Sequence, residues 1–183
     1  MRVISGTARG KKLTALEGLE TRPTLDRVKE SVFNILQFDI KNSKVLDLFS
    51  GSGALAIEAL SRGADKAILC DNSSKAIKVI NKNLEDTRLK EKTKIINKDY
   101  SEALNDLKDE KFDIIFLDPP YKSNYIVKSI ENIIKNNLLA EDGIIVAETD
   151  DKNKIEEIKN IKNIEIYDTR RYGIVSIIFI RKG

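Results

Sequence analysis

Residues 45–60 read Val45-Leu46-Asp47-Leu48-Phe49-Ser50-Gly51-Ser52-Gly53-Ala54-Leu55-Ala56-Ile57-Glu58-Ala59-Leu60. A short apolar run opens into a turn with two glycines, and residues of high helix propensity follow. Strand, glycine turn and helix in that order are the opening unit of an open α/β sheet, in which a nucleotide-like ligand meets the turn at the carboxyl end of the strand. Gly51-x-Gly53-x-x-Ala56 also fits the dinucleotide fingerprint, and Asp71 follows about 20 residues on, where such enzymes keep a ribose-binding acid. An NAD-dependent dehydrogenase is therefore one reading. Against it stands Asp47 inside the strand, where a carboxylate near the ligand suits a cationic amino-acid group. A pyrophosphate instead prefers the positive start of a helix. S-adenosylmethionine carries such a cationic group.

Working outward, the same alternation repeats along the chain. Apolar runs predict strands near 44–49, 66–71, 93–97, 112–118 and 143–148, with helices near 53–62, 74–86, 101–108 and 124–137 between them. Ser73 and Ser74 suit the cap of the second of these helices. A shorter helix near 151–159 leads to Ile164–Tyr167 and Ile174–Ile180, joined so briefly that these last strands must run antiparallel. The fold expected is α/β: a single doubly wound, mostly parallel, Rossmann-like seven-stranded sheet with one antiparallel strand and a short N-terminal extension. Upstream, an amphipathic helix is predicted after a Thr24 cap, with Leu25, Val28, Val32, Phe33, Ile35 and Leu36 on one stripe and Asp26 and Lys29 away from it. Residues 1–40 thus form a basic extension and helix, and residues 41–183 the ligand-binding domain.

A second motif, Asp118-Pro119-Pro120-Tyr121, follows the apolar run Phe112–Leu117. Pro-Pro is an ordinary way to end a strand. An acid, two prolines and an aromatic at a strand end also make a rigid clamp for a planar amino group, which has no role in hydride transfer. Five successive strand ends would bring Asp47, Asp71, Asp99, Asp118 and Glu148 to one rim of the sheet, the rim at which open α/β sheets bind ligands.

Composition narrows the chemistry. The 183 residues suit one core, with a single cysteine, Cys70, and no histidine. An internal disulfide, a multi-cysteine metal site and imidazole acid–base catalysis are excluded, and no metal is expected. No stretch has the apolar length of a signal peptide core or a membrane span, so a cytoplasmic protein is expected. The net charge of +3 is small. Its local placement says more: Arg2, Arg9, Lys11 and Lys12 lie in an acid-free N-terminal run, and Arg22 and Arg27 flank Pro23. Gly6 and Gly10 around Arg9 would let the backbone approach a phosphate.

Asp47-x-Phe49-x-Gly51-x-Gly53 together with Asp118-Pro119-Pro120-Tyr121 resembles the class I S-adenosylmethionine-dependent amino-methyltransferases. Arg2–Gly6 through Arg9-Gly10, Thr21–Glu30 with Phe33–Leu36, and Leu46–Leu55 with Glu58–Ala64 resemble the RsmD family more narrowly. That family methylates the N2 amino group of one guanine in small-subunit (16S) ribosomal RNA. Beyond residue 110 the likeness rests on Asp-Pro-Pro-Tyr and Arg171-Tyr172-Gly173. The chain departs from the family pattern at Ser5 and Ala56, where glycine is usual, and at Asp71, where glutamate is frequent.

The resemblance implies S-adenosylmethionine as cofactor. Asp47 with Phe49, Ser50, Gly51 and Gly53 would hold its methionine end, Asp71 the ribose and Asp99 the adenine amino group, with Asn72 and Asp118 completing the set. It implies that Asp118 and the Pro119 carbonyl accept the two N2 hydrogens while Pro120 keeps the clamp rigid and Tyr121 stacks on the base. Arg2, Arg9, Lys11, Lys12, Arg22, Thr24 and Arg27 would face ribosomal RNA, alone or in the small subunit or its assembly intermediate, with the enzyme a monomer. A DNA adenine or other RNA amino-methyltransferase, a dehydrogenase and a non-catalytic RNA-binding module are the alternatives.

Overall fold

The computed structural model describes residues 1–16, 23–120 and 124–183, the side chains of residues 23–25 apart. Among these residues the chain runs α1 (Pro23–Ile35), β1 (Lys44–Asp47), α2 (Ala54–Ser61), β2 (Lys66–Cys70), α3 (Ser74–Thr87) and β3 (Thr93–Ile96). It continues with α4 (Tyr100–Asp106), β4 (Phe112–Leu117), α5 (Tyr125–Lys135), β5 (Leu139–Thr149), α6 (Lys152–Lys159), β6 (Ile164–Tyr172) and β7 (Val175–Lys182). The strands form one sheet in the order β3-β2-β1-β4-β5-β7-β6. β1 to β5 pair in parallel, and β7 runs antiparallel to both of its neighbours. The expected doubly wound sheet is what forms. Its strand order reverses between β1 and β4, and a crevice opens at that point outside the carboxyl ends.

Parallel strands buried on both faces explain the unbroken apolar runs. One core packs α1, α2 and α3 on Val45, Ala67, Leu69, Phe116, Val146 and Phe179. The other packs α4, α5 and α6 on Leu46, Ile68, Ile115, Ile145 and Ile178. Alternation within each strand assigns neighbouring residues to opposite cores, so Asp47, next in parity after Val45, faces the α1 side.

Several boundaries move for local reasons. Ser73 caps α3, its Oγ accepting from the Ala76 N–H at 3.4 Å, and Ser74 becomes the first helical residue. β5 begins at Leu139 because Leu139 pairs with Phe112 before a register shift to Ile114–Ile144. β6 runs on to Tyr172, closing against Val175 across Gly173 at φ +63°. α1 already includes Pro23 and Thr24, so Thr24 belongs to the first turn and is not the cap before it; proline suits that position because its missing N–H would be unpaired there. Lys29, expected on the polar side of α1, is only 5% exposed. Among the described residues no helix is long and apolar enough to cross a membrane.

Candidate active site

The N-terminal segment is fastened to the sheet by buried polar groups. Arg2 and Lys12 form an antiparallel bridge, and Val3, Ala8 and Leu13 enter the core that holds α1. Glu58 of α2, fully buried, accepts the N–H of Ile4 at 2.8 Å and of Ser5 at 3.0 Å. The same carboxylate pairs with Lys29 at 3.2 Å and with Arg62 Nε at 2.8 Å. Lys29 Nζ also donates to the Arg2 carbonyl at 2.5 Å. A buried carboxylate persists only when paired and hydrogen-bonded; here Lys29, Arg62 and two backbone amides meet that need, which is why Lys29 turns inward.

Ser61 continues the fastening. Its Oγ accepts from Ala8 N and donates to the Ser5 carbonyl, while its own carbonyl accepts from Thr7 N. At Gly6, φ is +84° and an added Cβ would lie 1.8 Å from the Ser61 carbonyl oxygen. The close approach that Gly6 permits is therefore to Ser61 and not to a phosphate, whereas Gly10 has nothing within 4 Å of such a Cβ. Asn83, also fully buried, exchanges hydrogen bonds with the backbone of Thr14 and donates to the Ser52 carbonyl, tying the end of the N-terminal segment to the glycine turn.

The turn itself is built on Asp47, Asp71 and two left-handed glycines. Gly51 (φ +56°) and Gly53 (φ +78°) bend the chain from β1 into α2, and a Cβ on Gly53 would press to 3.0 Å on Leu69. Ser50 Oγ donates to the Asp47 carbonyl. Asp71 accepts the Gly51 N–H on one carboxylate oxygen and the Ser73 N–H on the other, each at 2.9 Å. It thus braces the turn while lining the cavity, with further lone pairs on each oxygen. Asp99 caps α4, one oxygen accepting from both the N–H and the Oγ of Ser101.

These groups surround a cavity of about 550 Å³ at the carboxyl edge of β1, β2, β4 and β5. Asp47, Phe49, Ser50, Gly51, Asp71, Asn72, Asp99, Asp118, Pro119, Pro120 and Glu148 all reach it, while Gly53 lies behind the turn. Asp47 is 1% exposed, and neither of its oxygens has a hydrogen-bond partner among the described residues. Burial pushes its pKa up to about 7; the Ala56 N–H at the start of α2 pulls the other way without reaching hydrogen-bond geometry, and Asp71 adds to the rise. Asp118 is exposed on the cavity wall, where Asp47 and Glu148 are its acidic neighbours. Desolvation, then Glu148 and Asp47, raise its pKa well above the usual carboxylate range.

Phe49, expected in the site, gathers two rings that the sequence did not point to, Tyr100 and Tyr125. Phe49 stacks on Tyr125 with ring centroids 6.0 Å apart and an interplanar angle of 4°, and Tyr100 leans on both at 5.5 and 4.8 Å. Tyr100 and Tyr125 line the cavity. Their only sequence signal was position: Tyr100 opens the helix after Asp99, and Tyr125 opens the helix that follows the Asp118 strand end. Inner-face residues of α1, Val28, Lys29 and Val32, together with Met1, close the opposite side.

Arg2, Arg9, Lys11, Lys12 and Arg27 are exposed and outside the cavity lining. Tyr121 and Arg22 lie outside the described residues, as does the side chain of Thr24.

The family model described as Conserved hypothetical protein 95 matches residues 1–181. The Ribosomal RNA small subunit methyltransferase D of Haemophilus influenzae is 35% identical over 96% of this chain and 91% of its own length. The chain belongs to the RsmD family. YlbH of Bacillus subtilis is 38% identical across 100% of this chain and 99% of its own. The solved structure of yhhF from Escherichia coli superposes with a TM-score of 0.85 at 30% identity, covering 100% of this chain and 97% of that one.

The RsmD-type residues found here fit S-adenosylmethionine, the cofactor of class I methyltransferases. Asp47 offers a buried carboxylate of the sort that takes a cationic group. The glycine turn leaves backbone open to the cavity, the aromatic trio supplies an apolar surface for a purine, and the volume lies within the range of small-molecule sites.

Proposed function

We propose that this protein transfers a methyl group from S-adenosylmethionine to the exocyclic N2 of a specific guanine in small-subunit ribosomal RNA. The observation that carries the reading is one cavity bounded both by the Asp47–glycine turn and by Asp118-Pro119-Pro120. Family membership and relatives bearing the name Ribosomal RNA small subunit methyltransferase D support ribosomal RNA as substrate. Asp47, Phe49, Ser50 and Gly51 hold the methionine end of the cofactor, with Gly53 shaping the turn. Asp71 and Asn72 hold its ribose, and Asp99 with the aromatic trio its adenine. When bound, the cofactor supplies an electrophilic methyl on a sulfonium, which N2 takes with loss of one proton.

The chain's own task is to prepare the nitrogen. The lone pair of a guanine N2 is delocalised into the ring, and two acceptors aimed at its hydrogens favour a pyramidal nitrogen whose lone pair points at the donor. Asp118 and the Pro119 carbonyl are those acceptors, and the proline pair holds them without backbone N–H groups to satisfy. Positive charge developing on the nitrogen is stabilised by Asp118, whose carboxyl the bound base would cover. Tyr121 stacks on a base drawn out of its helix. Residues 1–40 form the RNA side and residues 41–183 the methyl-transfer domain. Arg2, Arg9, Lys11, Lys12, Arg22, Thr24 and Arg27 meet the phosphate backbone, and a monomer acting in the cytoplasm suffices.

The test is transfer of labelled methyl from S-adenosylmethionine to naked 16S RNA and to small subunits from cells lacking the modification, followed by nucleoside mapping. N2-methylguanosine at one position, lost in Asp118→Ala with S-adenosylhomocysteine binding retained, is the expected result. Label on adenine, on DNA or nowhere would refute the reading.

A further inference from the structure

The reading above accounts for N2 and leaves the adjacent edge of the base unassigned. Leu117 pairs with Ala147 in the parallel β4–β5 ladder, so the next residues outward, Asp118 and Glu148, stand side by side. Glu148 pairs in turn with Ile177 of β7. Asp118 and Glu148 each lie two residues beyond Phe116 and Val146, and residues two apart share a sheet face; all of these, with Ile177, line the cavity. Across the rim the order is therefore Asp47, Asp118, Glu148, because the strands run β1, β4, β5. Strands are spaced about 4.8 Å apart. Glu148 is thus one strand further from the cofactor end than the group that holds N2, where the rest of the base must lie.

In guanine the neighbour of N2 is N1–H, a donor. Adenine and 2,6-diaminopurine carry an acceptor at N1, and a carboxylate beside it would face lone pair against lone pair. Two neighbouring carboxylates raise each other's pKa and are best served by a ligand rich in N–H groups, which guanine's N1–N2 edge is.

We propose that Glu148 accepts the N1–H of the target guanine and so restricts the enzyme to guanine among bases that carry an amino group. This rests on the reading of the site as a guanine-N2 methyltransferase. The same hydrogen bond draws the N1 proton outward and leaves more electron density for N2, so Glu148 assists the nucleophile without itself taking a proton.

The test uses an RNA fragment carrying the mapped target, made with guanine or with 2,6-diaminopurine at that position. The diaminopurine keeps the N2 amino group, loses the N1 hydrogen and carries an amino group in place of O6, so the change in preference between wild type and the Glu148 variants, and not the wild-type preference alone, reads the N1 contact. Wild type should favour guanine in kcat/KM by at least about tenfold, as sites built to accept a hydrogen bond reject analogues that cannot give one. Glu148→Gln can turn its amide to donate to N1, so the preference should fall by about tenfold, with S-adenosylhomocysteine affinity unchanged. Glu148→Ala should lower guanine turnover more than diaminopurine turnover. If both variants slow the two RNAs equally, Glu148 has only a structural role and the proposal is overturned. If wild type itself places no methyl on guanine N2, the underlying reading fails, and this one with it, before any variant is compared.

Discussion

Replacing Asp47 with asparagine should stabilise the protein at alkaline pH, and by an amount that the pH sets. Asp47 is 1% exposed with both oxygens unpartnered among the described residues, and its pKa rises from 3.8 to about 7 in the fold. Between these values the native state keeps a proton that the unfolded chain has released. Stability therefore falls as pH rises through the interval and stays low above it. With one pKa unit equal to about 1.4 kcal/mol, the loss from this group is about 2 kcal/mol at pH 5 and about 4 kcal/mol at pH 8, relative to strong acid. Asparagine does not titrate. Its buried amide adds a constant penalty of about 1–3 kcal/mol, which offsets the curve without changing its slope. Urea unfolding of wild type and Asp47→Asn at pH 5 and pH 8 should thus show the difference moving by about 2–3 kcal/mol in favour of asparagine. Groups other than Asp47 titrate in both proteins and largely cancel in that difference. Parallel stability curves would refute the argument and mean that Asp47 is solvated or paired in solution.

The same carboxyl should make cofactor affinity depend on pH. If S-adenosylhomocysteine, which keeps the α-ammonium, binds the ionised form, calorimetry should show affinity rising roughly 30-fold from pH 5.5 to pH 8, and weak, pH-flat binding in Asp47→Asn. Glu58→Ala would strand Lys29 in the interior and free the amides of Ile4 and Ser5; a loss of about 3–5 kcal/mol in urea unfolding is expected, with faster hydrogen exchange at those two amides. Unchanged exchange there would mean that the core contacts of Val3 and Ala8 suffice to hold the segment. Gly6→Ala and Gly10→Ala separate conformation from contact, since φ is +84° and +83° but only Gly6 has a neighbour in the way. Both should pay about 1–2 kcal/mol for the left-handed backbone, and Gly6→Ala clearly more in thermal unfolding; equal losses would show that the loop moves off Ser61 freely.

The parallel sheet was legible because strand, turn and helix each leave a local mark: apolar runs for strands buried on two faces, glycine at positive φ, and serine or aspartate at helix starts. The aligned acids were legible for the same reason, since in a parallel sheet every strand end falls on one rim. Asp47, Asp71, Asp99, Asp118 and Glu148 could thus be placed at one edge without coordinates. Polar groups acting inside the fold left no such mark. Lys29 looked like a surface charge on its helix and nothing in the sequence marked Glu58 for burial; the approach of Ile4, Ser5 and Arg2 from another part of the chain makes the burial of both tolerable. Asn83 was one polar residue among many until Thr14 and Ser52 met it.

By itself, then, the sequence determined the sheet, the turn and the family, because these follow from short-range patterns repeated along the chain. Tertiary structure decided what each polar group is for. It turned Gly6 from a phosphate contact into a contact with Ser61, gave Asp71 the bracing of Gly51, gathered Phe49, Tyr100 and Tyr125 into one cluster, and set Glu148 beside Asp118. Those assignments depend on which distant segments meet and on how deeply each is buried. Neither is written in any local stretch of residues.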